Sequence, residues 1–430
     1  MRGKKIRVVV TGMGVLAPNA HGITEFASAL QTGASGIRFQ PRLAELEFCC
    51  QIAGIPVGVD ELSARYLDPM MLKRMDPHCV MGCIAALDAW ADAGFVCDPA
   101  APVDWDTGIV FGFGMGALQT VGDTLAPFTN SGRVRRIGST MVEKVMGSAV
   151  SAQLTGLLGV GGQSSTVSSA CATGSEAIIT GARMIREGRA IRVVAGGSEG
   201  DSPYVWAGFE SLRVLCTTGN DHPETASRPL SASAAGFVPG AGAGALVLES
   251  LESAVSRGAR IYGEILGTGI NSGGQRNGGS MTAANPQGRQ RCIRAAVADA
   301  GIQPEEIDLI SGHLTATIAD PFEVINWREA LELSEERFPL INAPKSMIGH
   351  TLAAAGAIES VASLLQISES FVHPSLNCED LHPQLGWCEA KIPRECLRRE
   401  LNVVAKSAFG FGDVNTTIIF RRYDPDRERN

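Results

Sequence analysis

Short apolar runs broken by glycine alternate along this chain with longer stretches in which small and apolar residues recur at helical spacing. The first run, Val8-Val9-Val10-Thr11-Gly12-Met13-Gly14, reads as a strand holding two glycines. Cys79 to Gly94 reads as an amphipathic helix ending Ala91-Asp92-Ala93-Gly94, and a polar loop leads on to the strand-like Thr107-Gly108-Ile109-Val110-Phe111. Ser165-Thr166-Val167 is a further short strand pattern, followed by a helical stretch from Ala177 to Ile185. The succession then returns. Gly263-Glu264-Ile265-Leu266-Gly267-Thr268-Gly269 matches the opening strand, Arg289 to Gly301 is a helix ending Ala298-Asp299-Ala300-Gly301, and Ile307-Asp308-Leu309-Ile310 follows its polar loop. Features recurring in one order predict a duplicated α/β chain, each half built of βαβ units around a mostly parallel sheet. The division is expected near residues 251–262, giving halves 1–255 and 256–430. Lys345 to Leu365 predicts a small-residue loop entering an Ala-rich helix, like the helix after Cys171. Packed face to face, the two halves bring both helix starts to one central site.

Composition narrows the class. With 430 residues, 45% hydrophobic and 19% charged, the chain has ample apolar surface for a large core. A net charge of −8 argues against a general nucleic-acid binder. The 11 cysteines are scattered singly apart from Cys49-Cys50; an odd count without a CxxC pair points to reduced thiols and a cytoplasmic setting. Cys79 and Cys83, one helical turn apart, read as a core face rather than a metal site. No run of about 18 apolar residues appears, so no membrane span is expected. The basic start, Met1 to Arg7, leads into a strand pattern and not into the apolar core of a signal peptide. No metal or redox cofactor is implied, since ligand residues do not cluster along the chain and Gly12-Met13-Gly14 lacks the full dinucleotide fingerprint.

Candidate chemistry centres on Ser168-Ser169-Ala170-Cys171-Ala172-Thr173-Gly174-Ser175-Glu176-Ala177. A thiol at a helix N-terminus faces unpaired N–H groups and the positive end of the dipole, which favour thiolate. Small neighbours leave room for an acyl group, although cysteine is equally common as buried packing. His313 stands at the expected end of a strand, with Thr315, Thr317, Asp320 and Glu323 behind it. His350 closes Asn342-Ala343-Pro344-Lys345-Ser346-Met347-Ile348-Gly349-His350, just ahead of the Ala-rich helix. The other histidines, His21, His78, His222, His373 and His382, read as structural or surface residues.

At these residues the sequence resembles the β-ketoacyl synthases, condensing enzymes of the thiolase-like superfamily, from Val8 to Phe420. The resemblance rests on Val10-Thr11-Gly12-Met13-Gly14, Ser169-Ala170-Cys171-Ala172-Thr173-Gly174, Ser227-Arg228-Pro229 with Gly236-Phe237-Val238, Lys345-Ser346-Met347-Ile348-Gly349-His350, and Ser407-Ala408-Phe409-Gly410-Phe411-Gly412. It implies duplicated βαβ halves in a five-layer αβαβα sandwich. It also implies an acyl-Cys171 intermediate, malonyl delivered and decarboxylated on an acyl carrier protein, and attack of the resulting enolate on the acyl group. His313 and His350 match the hydrogen-bond donors to the enolate, and the N–H groups of Cys171 and Phe411 match a second oxyanion hole. Lys345 matches a lysine that orders the site through a carboxylate, expected to be Glu323. Thr315 and Thr317 match hydroxyls that hold phosphopantetheine; Phe237, Gly410 and Phe411 match the lining and gate; Met115 matches the depth of the acyl pocket. Lys73, Arg74, Arg133, Arg135, Arg136 and Arg213 match regions that dock the acidic carrier. Relatives are dimers, so the resemblance implies a homodimer or a heterodimer with a chain-length-factor-like homologue.

The chain also departs from the family pattern. Leu314 replaces a glycine in His313-Leu314-Thr315-Ala316-Thr317, Asp320 and Glu323 stand one residue nearer His313 than usual, and Asp413 replaces a glycine after Gly412. Other readings compete with the condensing enzyme. Gly196-Gly197-Ser198-Glu199-Gly200 fits the nucleophile elbow of a serine hydrolase, but Pro203 follows where a helix should open directly. A non-catalytic partner subunit is a second alternative, which the presence of Cys171 weighs against. A thiolase requires a cysteine near the final glycine motif, and Ser407 to Gly412 has none.

Overall fold

A computed structural model describes residues 5–425. Its core is a continuous sheet in which five strands from each half form the main order, with the two-residue strand Ala20–His21 added alongside Leu16 and Ala17. The first half supplies β1 (Val8–Ala17), β2 (Thr107–Phe113), β3 (Ser164–Ser165), β4 (Arg192–Glu199) and β5 (Gly242–Ser250). The second supplies β6 (Gly263–Ser272), β7 (Leu309–Ser311), β8 (Leu340–Asn342), β9 (Val403–Gly410) and β10 (Val414–Arg421). The order across the sheet is β8-β7-β9-β10-β6-β1-β5-β4-β2-β3. Counted outward from its first strand, each half therefore runs first, fifth, fourth, second, third. This shared order is the duplication that the repeated sequence patterns predict. The halves join where Val8, Val9 and Val10 of β1 pair with Ile265, Glu264 and Gly263 of β6.

The sheet is mixed rather than mostly parallel. β2 runs parallel to β3 and β4, and β7 to β8 and β9. The last strand of each half, β5 or β10, lies antiparallel between its neighbours. The cause is plain at β9 and β10, which are joined by only Phe411, Gly412 and Asp413; a link that short makes a hairpin, never a crossover.

Helices complete the layers: α1 (Pro77–Asp92), α2 (Ala149–Leu158), α3 (Thr173–Arg186), α4 (Pro286–Ala300), α5 (Asp320–Leu331) and α6 (Ala355–Glu369). α1 packs on β1, β5 and β4, and α4 packs on β6 and β10, forming the outer layers. α3 and α6 lie between the two half-sheets. The result is the five-layer αβαβα sandwich. Glycine makes the outer contacts close: a methyl group at Gly14 would sit 1.9 Å from the Ala85 carbonyl oxygen, and one at Gly269 would sit 2.1 Å from that of Cys292. Helix starts are set by local chemistry. Asp76 accepts the His78 N–H ahead of Pro77, and Asn285 accepts the Gln287 N–H ahead of Pro286. The latter cap starts α4 three residues before the periodic stretch read from the sequence. Every residue of α6 from Ala355 to Ile367 is buried. Among the described residues no helix is long and apolar enough to cross a membrane.

Candidate active site

The starts of α3 and α6 converge as the sequence pattern suggests. Cys171 lies two residues ahead of α3 in a tight turn where Ala170 takes φ +50°, a left-handed conformation rare for a residue with a Cβ. His350 follows the short helical turn Lys345–Ile348, and its backbone is fixed to the other half: its N–H donates to Val238 O at 2.7 Å, and its carbonyl accepts the Gly240 N–H at 2.9 Å. His313 lies two residues beyond β7.

Cys171 Sγ is 3.1 Å from His350 Nε2, and the His313 and His350 rings stand 5.3 Å apart, nearly perpendicular at 83°. Neighbouring donors settle which nitrogen carries each proton. The Leu352 N–H donates to His350 Nδ1 at 3.2 Å, which leaves the proton of the neutral ring on Nε2, facing the sulfur. The Lys345 ammonium lies 3.4 Å from His313 Nδ1 and donates to the His313 carbonyl at 2.6 Å, so His313 likewise presents Nε2–H. Burial, with the positive charges of Lys345 and Lys406, holds both imidazoles well below their ordinary pKa. They are neutral N–H donors at physiological pH.

The thiol differs from the expectation of a resting thiolate. Burial pushes Cys171 up to about 11, outweighing the opposing charge of Lys345 and the backbone N–H groups of Phe411 and Cys171. Glu199 adds a further upward push, and burial raises its own carboxyl to about 7. The sulfur and the two imidazoles place one ligand atom each within 4.8 Å of one another, a donor set that also suits zinc and that sequence spacing did not reveal. Both rings, however, turn N–H groups rather than lone pairs inward, and Lys345 and Lys406 oppose a dication.

The Lys345–Glu323 contact expected from the resemblance is not formed. Lys345 Nζ meets Glu359 Oε1 at 2.5 Å, inside α6. Glu323 instead caps the His313 loop, accepting the N–H of His313 at 2.7 Å, that of Leu314 at 2.9 Å and the Ser407 hydroxyl at 3.2 Å. Asp320 accepts the N–H groups of Thr315, Ala316 and Leu230. The shortened loop is thus held by two carboxylates acting on backbone, with Leu314 at φ +20° and Ala316 at φ +61°. Sequence reading missed Glu359 and Lys406, whose Nζ is 2.7 Å from Glu359 Oε2. Part of the signal was present: an acid amid the small and apolar residues of an Ala-rich helix, and a lone lysine in an apolar strand, each require a partner, though not which one.

A cavity of about 540 Å³ opens onto Cys171, His313 and His350, and Phe237, Thr315, Thr317, Gly410 and Phe411 line it. The two threonine hydroxyls are 3.0 Å apart. A methyl group at Gly410 would stand 2.7 Å from Ser169 O and 3.1 Å from Cys171 N, so only glycine lets this strand end pass so close to the nucleophile. Asp413 takes φ +61° and accepts the N–H groups of Gln275 and Asn285, tying the Phe411 hairpin to the loop ahead of α4. Met115 lies outside this cavity, 40% exposed, with its N–H donating to Glu199 at 3.3 Å. Of the basic residues, exposed Arg213 is flanked by the cavity-lining Leu212 and Val214. Lys73, Arg74, Arg133, Arg135 and Arg136 are exposed away from the lining; Arg74 pairs with Glu143 at 3.7 Å. Ser198 is buried within β4, and among the described residues its hydroxyl has no hydrogen-bond partner. It is a strand residue and not an elbow nucleophile.

The model of the β-ketoacyl synthase N-terminal domain matches residues 5–254, and that of the C-terminal domain matches residues 262–379. The chain belongs to the β-ketoacyl synthase family. It is 34% identical to the chloroplastic 3-oxoacyl-[acyl-carrier-protein] synthase I of Arabidopsis thaliana, over 98% of this chain and 88% of that protein. Similarity to 3-oxoacyl-[acyl-carrier-protein] synthase 2 of Rhizobium meliloti (strain 1021) is also 34%, over 97% and 99%. Among solved structures, the ishigamide ketosynthase/chain length factor superposes with a TM-score of 0.88 at 28% identity, covering 98% of this chain and all (100%) of that one. A ketosynthase in complex with its type II PKS acyl-carrier protein and bound to a hexaketide gives 0.86 at 29%, over 98% and 100%. The β-ketoacyl synthase fold seen in these relatives matches the five layers described above.

Proposed function

We propose that this β-ketoacyl synthase condenses an acyl group held on Cys171 with malonyl carried by an acyl carrier protein. The carrying observation is the 3.1 Å approach of His350 Nε2 to Cys171 Sγ, with both imidazoles held as neutral N–H donors around one cavity. In the first step the Cys171 thiol attacks the acyl thioester. A C–S bond forms to Cys171, the bond to the carrier's phosphopantetheine sulfur breaks, and the thiol proton passes to that departing sulfur. The sulfur sheds its proton as it attacks, and the acyl enzyme that results is an uncharged thioester, which the buried site accommodates more readily than a standing thiolate.

Malonyl carrier then enters along Thr315 and Thr317. Loss of CO₂ leaves its electron pair as an enolate, whose oxygen receives the Nε2–H groups of His313 and His350. The enolate carbon attacks the acyl-Cys171 carbonyl, and the oxyanion rests between the N–H groups of Cys171 and Phe411. Collapse expels Cys171 as a thiolate, which takes a proton from solvent to restore the resting thiol, and releases the lengthened β-ketoacyl carrier. Lys345 and Glu323 act as positioning residues, the first on the His313 ring and the second on its backbone. Exposed Arg213, beside the mouth, supports docking of an acidic carrier, and the reaction belongs in the cytoplasm with the chain as a homodimer or paired with a ketosynthase homologue.

Intact-mass measurement tests the reading. Incubation with an acyl-loaded carrier should add one acyl group to the wild type and none to Cys171→Ala, and malonyl carrier should then yield CO₂ and a β-ketoacyl carrier. A non-catalytic partner subunit would show no acyl adduct.

A further inference from the structure

Arg289, in the first turns of α4, is only 9% exposed and lines the condensation cavity. Its guanidinium lies 4.8 Å over the Phe409 ring, which in turn stands 6.3 Å from the His313 ring. Among the described residues it has no ion pair, and its buried Nε has no hydrogen-bond partner. The carboxylates in its surroundings are already engaged. Glu323 serves His313, Leu314 and Ser407; Asp320 serves Thr315, Ala316 and Leu230; Asp413 serves Gln275 and Asn285. These carboxylates support the positive charge from a distance, but the buried Nε–H keeps an unmet hydrogen bond that an anion in the cavity would satisfy. The buried Phe409 ring beneath the guanidinium keeps water from that face and strengthens any such pair.

We propose that Arg289 is a carboxylate-binding residue of the cavity, selecting carrier-bound substrates that carry a free carboxylate. The planar fork of arginine matches a carboxylate in bidentate geometry. A carrier's phosphodiester is a poorer fit, because it stays tethered at the protein surface while this guanidinium lies one aromatic ring from the reacting centre. The proposal rests on the condensing reading given above. It leaves two sources for the carboxylate, the malonyl unit before CO₂ leaves or the far end of a dicarboxylic acyl donor.

The experiment compares the wild type with Arg289→Met and Arg289→Lys, with thermal melting to verify folding. Malonate binding by calorimetry is the readout independent of turnover: affinity should fall about tenfold or more in the Met variant and recover in part in the Lys variant. If the malonyl carboxylate is the ligand, KM for malonyl carrier rises about tenfold while kcat does not fall, because the lost contact belonged to the ground state. If the acyl donor supplies it, the variant instead loses Cys171 acylation by dicarboxylic acyl carriers relative to monocarboxylic ones. Folded variants that leave malonate affinity and both carrier responses within about twofold of wild type overturn the proposal. A wild type that neither acylates nor releases CO₂, yet binds malonate through Arg289, sinks the condensing reading and leaves this site standing.

Discussion

Lys406 Nζ lies 2.7 Å from Glu359 Oε2 while Lys345 Nζ holds Oε1, so one fully buried carboxylate serves two lysines. The pair of cations exceeds the charge of Glu359, and the surplus acts on the imidazoles, whose pKa values both lysines lower. Lys406→Met removes part of that effect without touching the hydrogen bonds of Lys345. His313 and His350 then protonate more easily, and the neutral donors are lost at a higher pH. The acid limb of the condensation pH profile should therefore move upward in Lys406→Met and move less in Lys406→Arg. An unshifted limb would show that Lys406 only fills space.

Glu359→Gln has a different consequence, since it leaves two buried ammonium groups facing a neutral amide. Removing one partner from a buried ion pair costs about 3–5 kcal/mol, and here two pairs share the lost charge. We expect a large fall in the denaturation midpoint, readable in urea titrations, whereas Glu359→Gln combined with Lys406→Met recovers part of it. Additive losses in the double variant would contradict a shared counter-ion.

His350→Ala removes one of the two inward N–H donors and should reduce condensation about 10²–10³-fold, the usual effect of deleting one oxyanion donor. Acylation of Cys171 should fall much less, because the N–H groups of Cys171 and Phe411 serve that carbonyl. Single-turnover acylation and steady-state condensation separate the two effects. Equal losses in both would place His350 in the acyl transfer instead.

How much of this was legible beforehand follows from where each interaction lies along the chain. Residues 79–94 and 289–301 show their helices because each buries one face against the sheet, α1 on β1, β5 and β4 and α4 on β6 and β10, which imprints a helical apolar period. Cys171, His313 and His350 were visible as small-residue junctions, since sites at helix starts need glycine and alanine for close approach. The Lys345–Glu359 pair was not, because it joins a turn to the interior of a helix whose burial is set wholly by tertiary packing. The mixed strand order was hidden for a similar reason: β10 reads like any apolar run, and only the three-residue hairpin decides its direction. The upward shift of the thiol was not legible because a helix N-terminus is a local feature, whereas the burial that outweighs it is set by tertiary packing.

Gly410→Ala places a methyl group 2.7 Å from the Ser169 carbonyl and 3.1 Å from the Cys171 nitrogen, both backbone atoms that cannot turn aside. Relief requires the β9 end to retreat, taking the Phe411 N–H away from Cys171. Loss of that donor should slow acylation of Cys171 about 10²-fold while the protein remains folded. Stopped-flow acylation with circular dichroism as the fold check decides it. Wild-type acylation in a folded variant would remove Phe411 N–H from the oxyanion hole.

Glu199 is fully buried at the end of β4, and its carboxyl is raised from 4.5 to about 7 chiefly by desolvation. Between those values the folded protein binds the proton that the unfolded chain releases, so stability is complete below the lower value and is lost as pH rises toward the upper one. At 1.36 kcal/mol per unit the loss is about 3 kcal/mol. Glu199→Gln cannot ionise and should flatten this part of the curve, making the variant more stable than wild type at pH 8 (about 1–3 kcal/mol) and little changed at acid pH. The same substitution removes a negative charge that raises Cys171, so the thiol should alkylate at lower pH than the wild type, whose value is about 11. Urea midpoints across that range and iodoacetamide labelling followed by peptide mapping test the two effects separately. If the variant loses stability with pH as steeply as the wild type, the titrating group lies elsewhere.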